Sequence, residues 1–313
     1  MLVSAVLDPS AFNKAHFDEL YTIQAEDFLK GIQRNGLLIV DPENRLRNAL
    51  IEEIKSIPIK YRQQLQILVE ELLKKKSKRV IACFVNRNNI SRTSLLDLAR
   101  LLKTDTNADA LIVGKTNSHR AGIVPLSKYR DSNFEIDRDR YEKSVGPIDK
   151  LTNAEVEDII IRTVRFSKWL RFYDPYIGRG NNTINFRKGI EYILSLWYEH
   201  GFFASQQGIG SVEIFTRGAQ RWRNQDQCHK IVQDIKTPLE ERFPWKVKFF
   251  IKDDPDKIFH ARYLETQHAI VRVDRGFDLF KRNNKFLCNF FTLNMEESSH
   301  LKQYRDLPNV VLG

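Results

Sequence analysis

The sequence predicts an α/β protein of two domains, and three features carry that expectation. Short apolar runs alternate with longer segments whose apolar residues recur every three to four positions, the patterns of buried strands and amphipathic helices. Apolar density falls between Lys115 and Asp149, which marks a boundary. The length of 313 residues suits two domains at roughly 100–200 residues each. The expected division is a mainly parallel three-layer α/β domain over 1–125, a connecting segment over 126–150, and a second α/β domain, a sandwich of sheet and helices, over 151–313.

The elements follow in order. Leu2–Leu7 reads as a strand ending in Asp8-Pro9-Ser10, and Phe12–Ile32 as a helix. Gly36–Asp41 is a second strand, closed by the turn Pro42-Glu43-Asn44. A helix carries Leu46, Leu50 and Ile54; Pro58 interrupts it, and another helix runs from Ile59 to Lys75. The basic run Lys74–Arg79 leads into a strand at Val80–Val85, a helix at Ser91–Leu102 and a strand at Ala110–Val113. Strands alternating with helices imply a mainly parallel sheet covered on both faces.

Lys128–Lys143 is dense in Arg, Asp and Glu and reads as part of the connector. Thr152-Asn153-Ala154-Glu155 opens the second domain as a capped helix start. Strands are expected at Trp169–Tyr173, Ser211–Thr216, Lys246–Ile251 and Phe286–Leu293. Helices are expected at Asn185–Tyr198, Asp226–Arg242 and Glu296–Asp306. Ala261–Glu265 and Ala269–Val273, separated by Thr266-Gln267-His268, read as a hairpin.

The chain holds 50 Lys and Arg against 40 Asp and Glu, a formal charge of +10. That surplus favours a polyanionic partner, because Lys and Arg neutralise phosphates and release counterions. Three cysteines, Cys83, Cys228 and Cys288, are too few and too dispersed for a disulfide framework or a zinc site and suit a reducing, cytoplasmic compartment. Met1–Asp8 lacks the basic and apolar regions of a signal peptide. No apolar stretch reaches the roughly 18 residues of a membrane span.

Three segments of the second domain stand out: Tyr173-Asp174-Pro175-Tyr176-Ile177-Gly178, Phe259-His260-Ala261-Arg262-Tyr263-Leu264, and Val273-Asp274-Arg275-Gly276-Phe277-Asp278-Leu279-Phe280. In this order and spacing they resemble the phospholipase-D-like superfamily, and within it the branch containing the carboxy-terminal domain of MIT-domain proteins. The resemblance implies a phospholipase-D-like sandwich in which a His and a Lys, two residues apart on one strand, point to one side of the sheet. The matching positions are His260 and Arg262. His260 is the implied nucleophile and Arg262 a phosphate ligand, joined by Arg275. The family's acidic residue falls on Asp274 or Asp278. One motif per chain implies that a complete two-motif site needs a homodimer. Arg in place of Lys, as in the MIT-type branch that binds phospholipid head groups, points to holding a phosphate rather than cleaving it. Asp174, at the carboxyl end of a strand, would either face this pocket or cap its turn. Arg179, between Gly178 and Gly180, supplies a basic loop beside it, and Thr216-Arg217-Gly218 ends the next strand in the same manner.

In the first domain, Asp8 follows the first strand and Asp109 opens the strand Ala110–Val113. This pairing resembles the PIN-like nucleases, whose carboxylates gather at the carboxyl ends of a parallel sheet and hold Mg²⁺ or Mn²⁺. A third carboxylate would be Asp41, Glu52 or Asp105, with Glu52 matching the family's order; Asp131 and Asp137 are later acidic candidates. Asp41 also suits a tight turn. Lys115, with Asn117, His119 and Arg120, would line a phosphate groove or a polar loop.

The expectation that follows is a nucleic-acid-directed nuclease, placed by these families in a microbial antiviral-defence setting. Asp8, Asp109 and Glu52 would be its metal-dependent catalytic residues. A second domain would bind phosphate and dimerise. The alternatives are a non-catalytic adaptor binding nucleic acid or anionic phospholipid, and a metal-independent phosphodiesterase using His260.

Overall fold

The computed structural model describes residues 2–74, 77–85, 93–114, 122–142, 152–177, 183–204, 210–218, 225–273, 276–277, 279, 290–293 and 298–310. The chain divides into two compact units, Met1–Lys143 and Ser144–Gly313. Among the described residues no helix is long and apolar enough to cross a membrane.

The first unit is built on a five-stranded sheet: β1 (Val3–Leu7), β2 (Gly36–Val40), β3 (Val80–Ala82), β4 (Ala110–Val113) and β5 (Ile123–Pro125), in the order β3-β2-β1-β4-β5. All four pairings are parallel. Every residue of β1, β2 and β4 is buried, as a sheet covered on both faces requires. The crossovers use α1 (Glu19–Asn35), then α2 (Arg45–Ser56) with α3 (Ile59–Leu73), then α4 (Leu95–Thr106). Chain order steps outward from β1 to β3 and then returns to the other side of β1. The carboxyl ends of β1 and β4 therefore form a topological switch point, the usual ligand crevice of open α/β sheets.

The expected helix from Phe12 starts later. Two 3-10 turns, Pro9–Phe12 and Lys14–His16, intervene, capped by Asp8 and Asn13, and α1 begins only where the Asp18 carboxylate accepts the Tyr21 amide at 2.8 Å. Three side-chain acceptors in one short stretch each satisfy a turn locally, at the expense of a continuous helix.

The expected connector over 126–150 is corrected for its described part. A 3-10 segment, Leu126–Asp131, and α5 (Asn133–Glu142) belong to the first unit. Leu126, Tyr129 and Phe134 are buried in its core with Phe12, Phe28 and Leu29. Few apolar residues are present, but three large ones at the right spacing close over α1. Burying each contributes about 1.5–3 kcal/mol.

The second unit carries a mixed six-stranded sheet: β6 (Trp169–Tyr173), β7 (Ser211–Gly218), β8 (Val247–Asp253), β9 (Tyr263–Thr266), β10 (Ile270–Val273) and β11 (Phe290–Leu293), in the order β11-β10-β9-β6-β7-β8. β6, β7 and β8 are parallel; β9, β10 and β11 add antiparallel, with β9 and β10 forming the expected hairpin. Its helices are α6 (Asn153–Val164), α7 (Thr183–His200), α8 (Gln225–Arg242) and α9 (Ser298–Asp306). α6 opens with the expected capping box of Thr152 and Glu155.

α7 packs unusually close to the chain beyond β10. A Cβ at Gly189 would stand 1.8 Å from the carbonyl oxygen of Phe277, and a backbone atom cannot yield as a flexible side chain can. Gly189→Ala is expected to lower the unfolding free energy by about 1–3 kcal/mol, an overpacking cost, in urea titration. An unchanged midpoint would show that α7 does not hold this approach.

Candidate phosphate-binding site

The parallel strands of the second unit end together, and their last residues define the site. The register Tyr173↔Phe215 sets Asp174 level with Thr216, so Arg217 lies one position beyond it on the neighbouring strand. Asp174 is fully buried. Its carboxylate accepts the backbone amides of Tyr176 at 2.8 Å and Phe277 at 3.3 Å, and it pairs with Arg262 at 3.8 Å. Gly276, at φ +76°, permits this: a Cβ there would fall 2.1 Å from Asp174 Oδ2. Asp174 therefore both caps its turn and anchors a guanidinium, so the two roles read from sequence are combined.

Arg262 lies over the Tyr176 ring at 4.4 Å, and Arg217 approaches the same ring at 5.9 Å. The two cations converge on one aromatic platform. Arg217 is only 6% exposed, and its Nη1 is buried with no hydrogen-bond partner among the described residues. The Tyr304 hydroxyl, supplied by α9, is likewise buried and without a described partner. Burial raises the Tyr304 pKa, with the charge of Asp254 adding to it; its ring stacks on Phe259 at 3.8 Å and meets Tyr173 at 6.2 Å between centroids. Asp254 turns its oxygens to the amides of Ile258 and Phe259. Lys252, on β8, is 5% exposed. Burial lowers its pKa, and its ammonium donates to the carbonyls of Arg305 at 2.5 Å and Leu307 at 2.8 Å.

Buried donors without acceptors are costly unless something satisfies them, and a buried cation more so. A group bearing acceptor oxygens and negative charge would satisfy such donors, and a guanidinium suits phosphate geometry in particular.

The residues expected from sequence are distributed as follows. Arg262 is in this site. His260 is exposed and lies outside the strands: only from Arg262, whose carbonyl accepts the Val273 amide at 2.9 Å, does the chain pair with β10. His260 and Arg262 therefore do not share a strand face, because the motif precedes β9. Arg275, Arg179 and Lys115 lie outside the described residues, as do Asn117, His119, Arg120, Asp274 and Asp278.

In the first unit the expected carboxylate cluster is not assembled. Asp8 stands at the carboxyl end of β1, but Asp109 precedes β4 at the opposite end of the sheet. The register Ala5↔Ala110 sets it beside Ser4, four positions from Asp8 and thus roughly 13 Å away at about 3.3 Å per residue. There its carboxylate accepts the Ser4 amide at 2.7 Å and hydroxyl at 2.8 Å. Glu52 is exposed on α2, paired with Lys55 at 2.7 Å, about 10 Å along the helix from its first turn. Asp105 and Asp131 are exposed. Among the described residues no group of three or more His, Cys, Asp or Glu side chains is placed to hold a metal ion. Asp8, Asp109 and Glu52 do not fit a shared Mg²⁺ or Mn²⁺.

Asp8's neighbour is instead Asp41. The register Val6↔Ile39 brings the two level, both buried. Asp41 caps α2 through the amides of Arg45 at 2.8 Å and Leu46 at 2.9 Å, and Asp8 accepts the Ser10 amide and hydroxyl. The crevice beside them is filled: a Cβ at Gly114 would meet the Ser10 carbonyl at 2.7 Å and His16 Nε2 at 3.0 Å. Asp109→Ala is thus expected to cost about 1–3 kcal/mol of stability by stranding the buried Ser4 donors. Urea unfolding with and without Mn²⁺ would show the same loss; a loss confined to the Mn²⁺ sample would instead mean that Asp109 is a ligand.

No family model and no curated protein matches the sequence.

Proposed function

We propose that the chain is a phosphate-recognising, nucleic-acid-binding protein that holds its ligand through the second unit without cleaving it. What carries the reading is the buried Arg217 Nη1, with no described acceptor, on the same tyrosine ring as Arg262, with a second buried donor of the same unit, the Tyr304 hydroxyl, also without one. The net charge of +10 favours a polyanion over an isolated anion. The phospholipase-D-like resemblance agrees in placing phosphate near Arg262, and homodimerisation remains part of this proposal. The departure of His260 from the strand removes support for a histidine nucleophile. The separation of Asp8 from Asp109 removes support for the two-metal-ligand nuclease.

The test is fluorescence anisotropy with labelled single-stranded RNA and DNA, alongside flotation with vesicles carrying phosphatidylinositol phosphates. Cleavage of the same oligonucleotides is followed with and without Mn²⁺. The expected result is binding to nucleic acid, sensitive to Arg217→Gln, with intact probe in every condition. Binding to the vesicles alone would replace the nucleic acid by a lipid surface. EDTA-sensitive cleavage lost in Asp8→Ala would restore the nuclease.

A further inference from the structure

We propose that the first unit carries a separate binding site for a small phosphorylated molecule of the sugar-phosphate or nucleotide class. It lies in a cavity between α1, the 3-10 segment Leu126–Asp131 and α5. The cavity measures about 400 Å³ and is lined by Asp27, Lys30, Arg34, Tyr129, Arg130, Glu135 and Arg138. That size suits a small ligand and not a polymer, since small-molecule pockets run from roughly 300 to 1,000 Å³.

The lining has four cations against two carboxylates, and its pairing is uneven. Asp27 holds Arg130 and Glu135 holds Arg138. Lys30 donates to Glu26 at 3.0 Å. Arg34 is exposed, and no carboxylate pairs with it among the described residues. Its backbone carbonyl accepts Arg79 Nη2 at 2.8 Å, which brings another cation to the same end of α1. Counting Glu26 and Arg79 with the lining residues gives five cations to three carboxylates.

Positions 27, 30 and 34 share one face of α1, and the helix is shaped for the cation opposite. A Cβ at Gly31 would stand 2.6 Å from Arg138 Nη1, so the missing side chain makes room for that guanidinium. Arg130, Arg138 and Lys30 are held by carboxylates, which leaves Arg34 to meet incoming charge. Buried Tyr129 forms the wall. Asp27 meets Arg130 through one carboxylate oxygen, and its acceptor capacity beyond that pair suits a sugar hydroxyl. A balanced surface network would need neither the cavity nor the excess charge.

This site is independent of the second unit, and the test keeps the two apart. Isothermal titration uses the full chain carrying Arg217→Gln, with adenosine monophosphate, ribose 5-phosphate and ribose as probes. The expected result is binding of both phosphorylated probes but not of ribose, weakened about tenfold by adding Arg34→Gln, the loss of one charge-assisted hydrogen bond. Because Arg34 is exposed, the ligand-free thermal midpoint should not move. Absence of binding at millimolar probe, or equal binding with and without Arg34→Gln, would overturn the proposal. If the native chain binds the probes and Arg217→Gln alone abolishes this, the second unit holds the one small-phosphate site; the present proposal fails while the reading of the second unit stands.

Discussion

Arg217→Gln should weaken binding of a phosphate-bearing oligonucleotide by about 10- to 100-fold, the loss of roughly 1.5–3 kcal/mol for a charge-assisted hydrogen bond. The slope of log affinity against log salt should become shallower by about one, as one phosphate contact is removed. Arg217→Lys should recover part of the affinity, because it restores charge without the planar fork that faces Tyr176. The same substitutions have a second readout of opposite sign. Arg217 is 6% exposed and one of its nitrogens has no described partner, so in the ligand-free protein it is a buried cation that is incompletely compensated. Gln at this position should leave the unfolding free energy unchanged or raise it, since replacing an uncompensated buried charge is neutral or stabilising. A structural arginine would behave in the other way, losing stability on substitution and affecting binding only through unfolding. Weaker binding with undiminished stability is the signature of a ligand site; reduced stability with native affinity would sink the assignment.

The alternation of strands and helices was legible because buried parallel strands are continuous apolar runs, and β1, β2 and β4 are buried throughout. Which end of its strand each carboxylate occupies was legible in the order of residues, and the pairing of Asp8 with Asp109 passed over it. Asp8 and Asp109 both flank strands, yet one follows its strand and the other precedes it. In a parallel sheet that difference puts them at opposite ends of the strands. Asp41 follows its strand as Asp8 does, and the shared end brings those two together. In the second unit, Asp174 and Arg217 carried a readable signal, since both close parallel strands that prove adjacent. Tyr304 carried none. It enters from the last helix, 130 residues from Asp174 along the chain, and only the folded structure sets its ring against Tyr173 and Phe259. The motif His260-Ala-Arg262 misled about geometry for a local reason: two residues apart means one face only inside a strand, and β9 begins at Tyr263.

What brings Tyr304 to the site also sets the largest expected loss of stability, on Glu265→Ala. Glu265 is 4% exposed, and its Oε2 is a hub: Tyr173 donates at 2.6 Å, Arg305 at 2.8 Å, and Arg171 lies at 3.6 Å. Arg305 also donates to the Tyr173 hydroxyl at 2.8 Å, so β6, β9 and α9 meet at one carboxylate. Burial is the first cause that raises the Tyr173 pKa, with Glu265 adding to it; the phenol stays protonated and serves as the donor. Truncating the carboxylate deprives Arg305 of its carboxylate and a buried phenol of its acceptor, while Arg171 keeps Glu213 at 2.6 Å; the loss costs about 3–5 kcal/mol. Glu265→Gln keeps an acceptor but not the charge and should cost less. Around the hub, Tyr304 stacks on Phe259 at 3.8 Å between ring centroids, and Lys252 holds the carbonyls at the end of α9. These contacts should keep α9 partly docked, so Glu265→Ala is expected to raise amide exchange first in Ser298–Asp306 and to weaken phosphate binding through displacement of Tyr304. Tyr304→Phe separates the two effects. It removes the hydroxyl while keeping the ring, and with no described partner to lose, it should weaken binding without loss of stability. If Tyr304→Phe binds as the native chain does while Glu265→Ala does not, α9 supports the site only by packing, and the phosphate contacts reduce to the arginines.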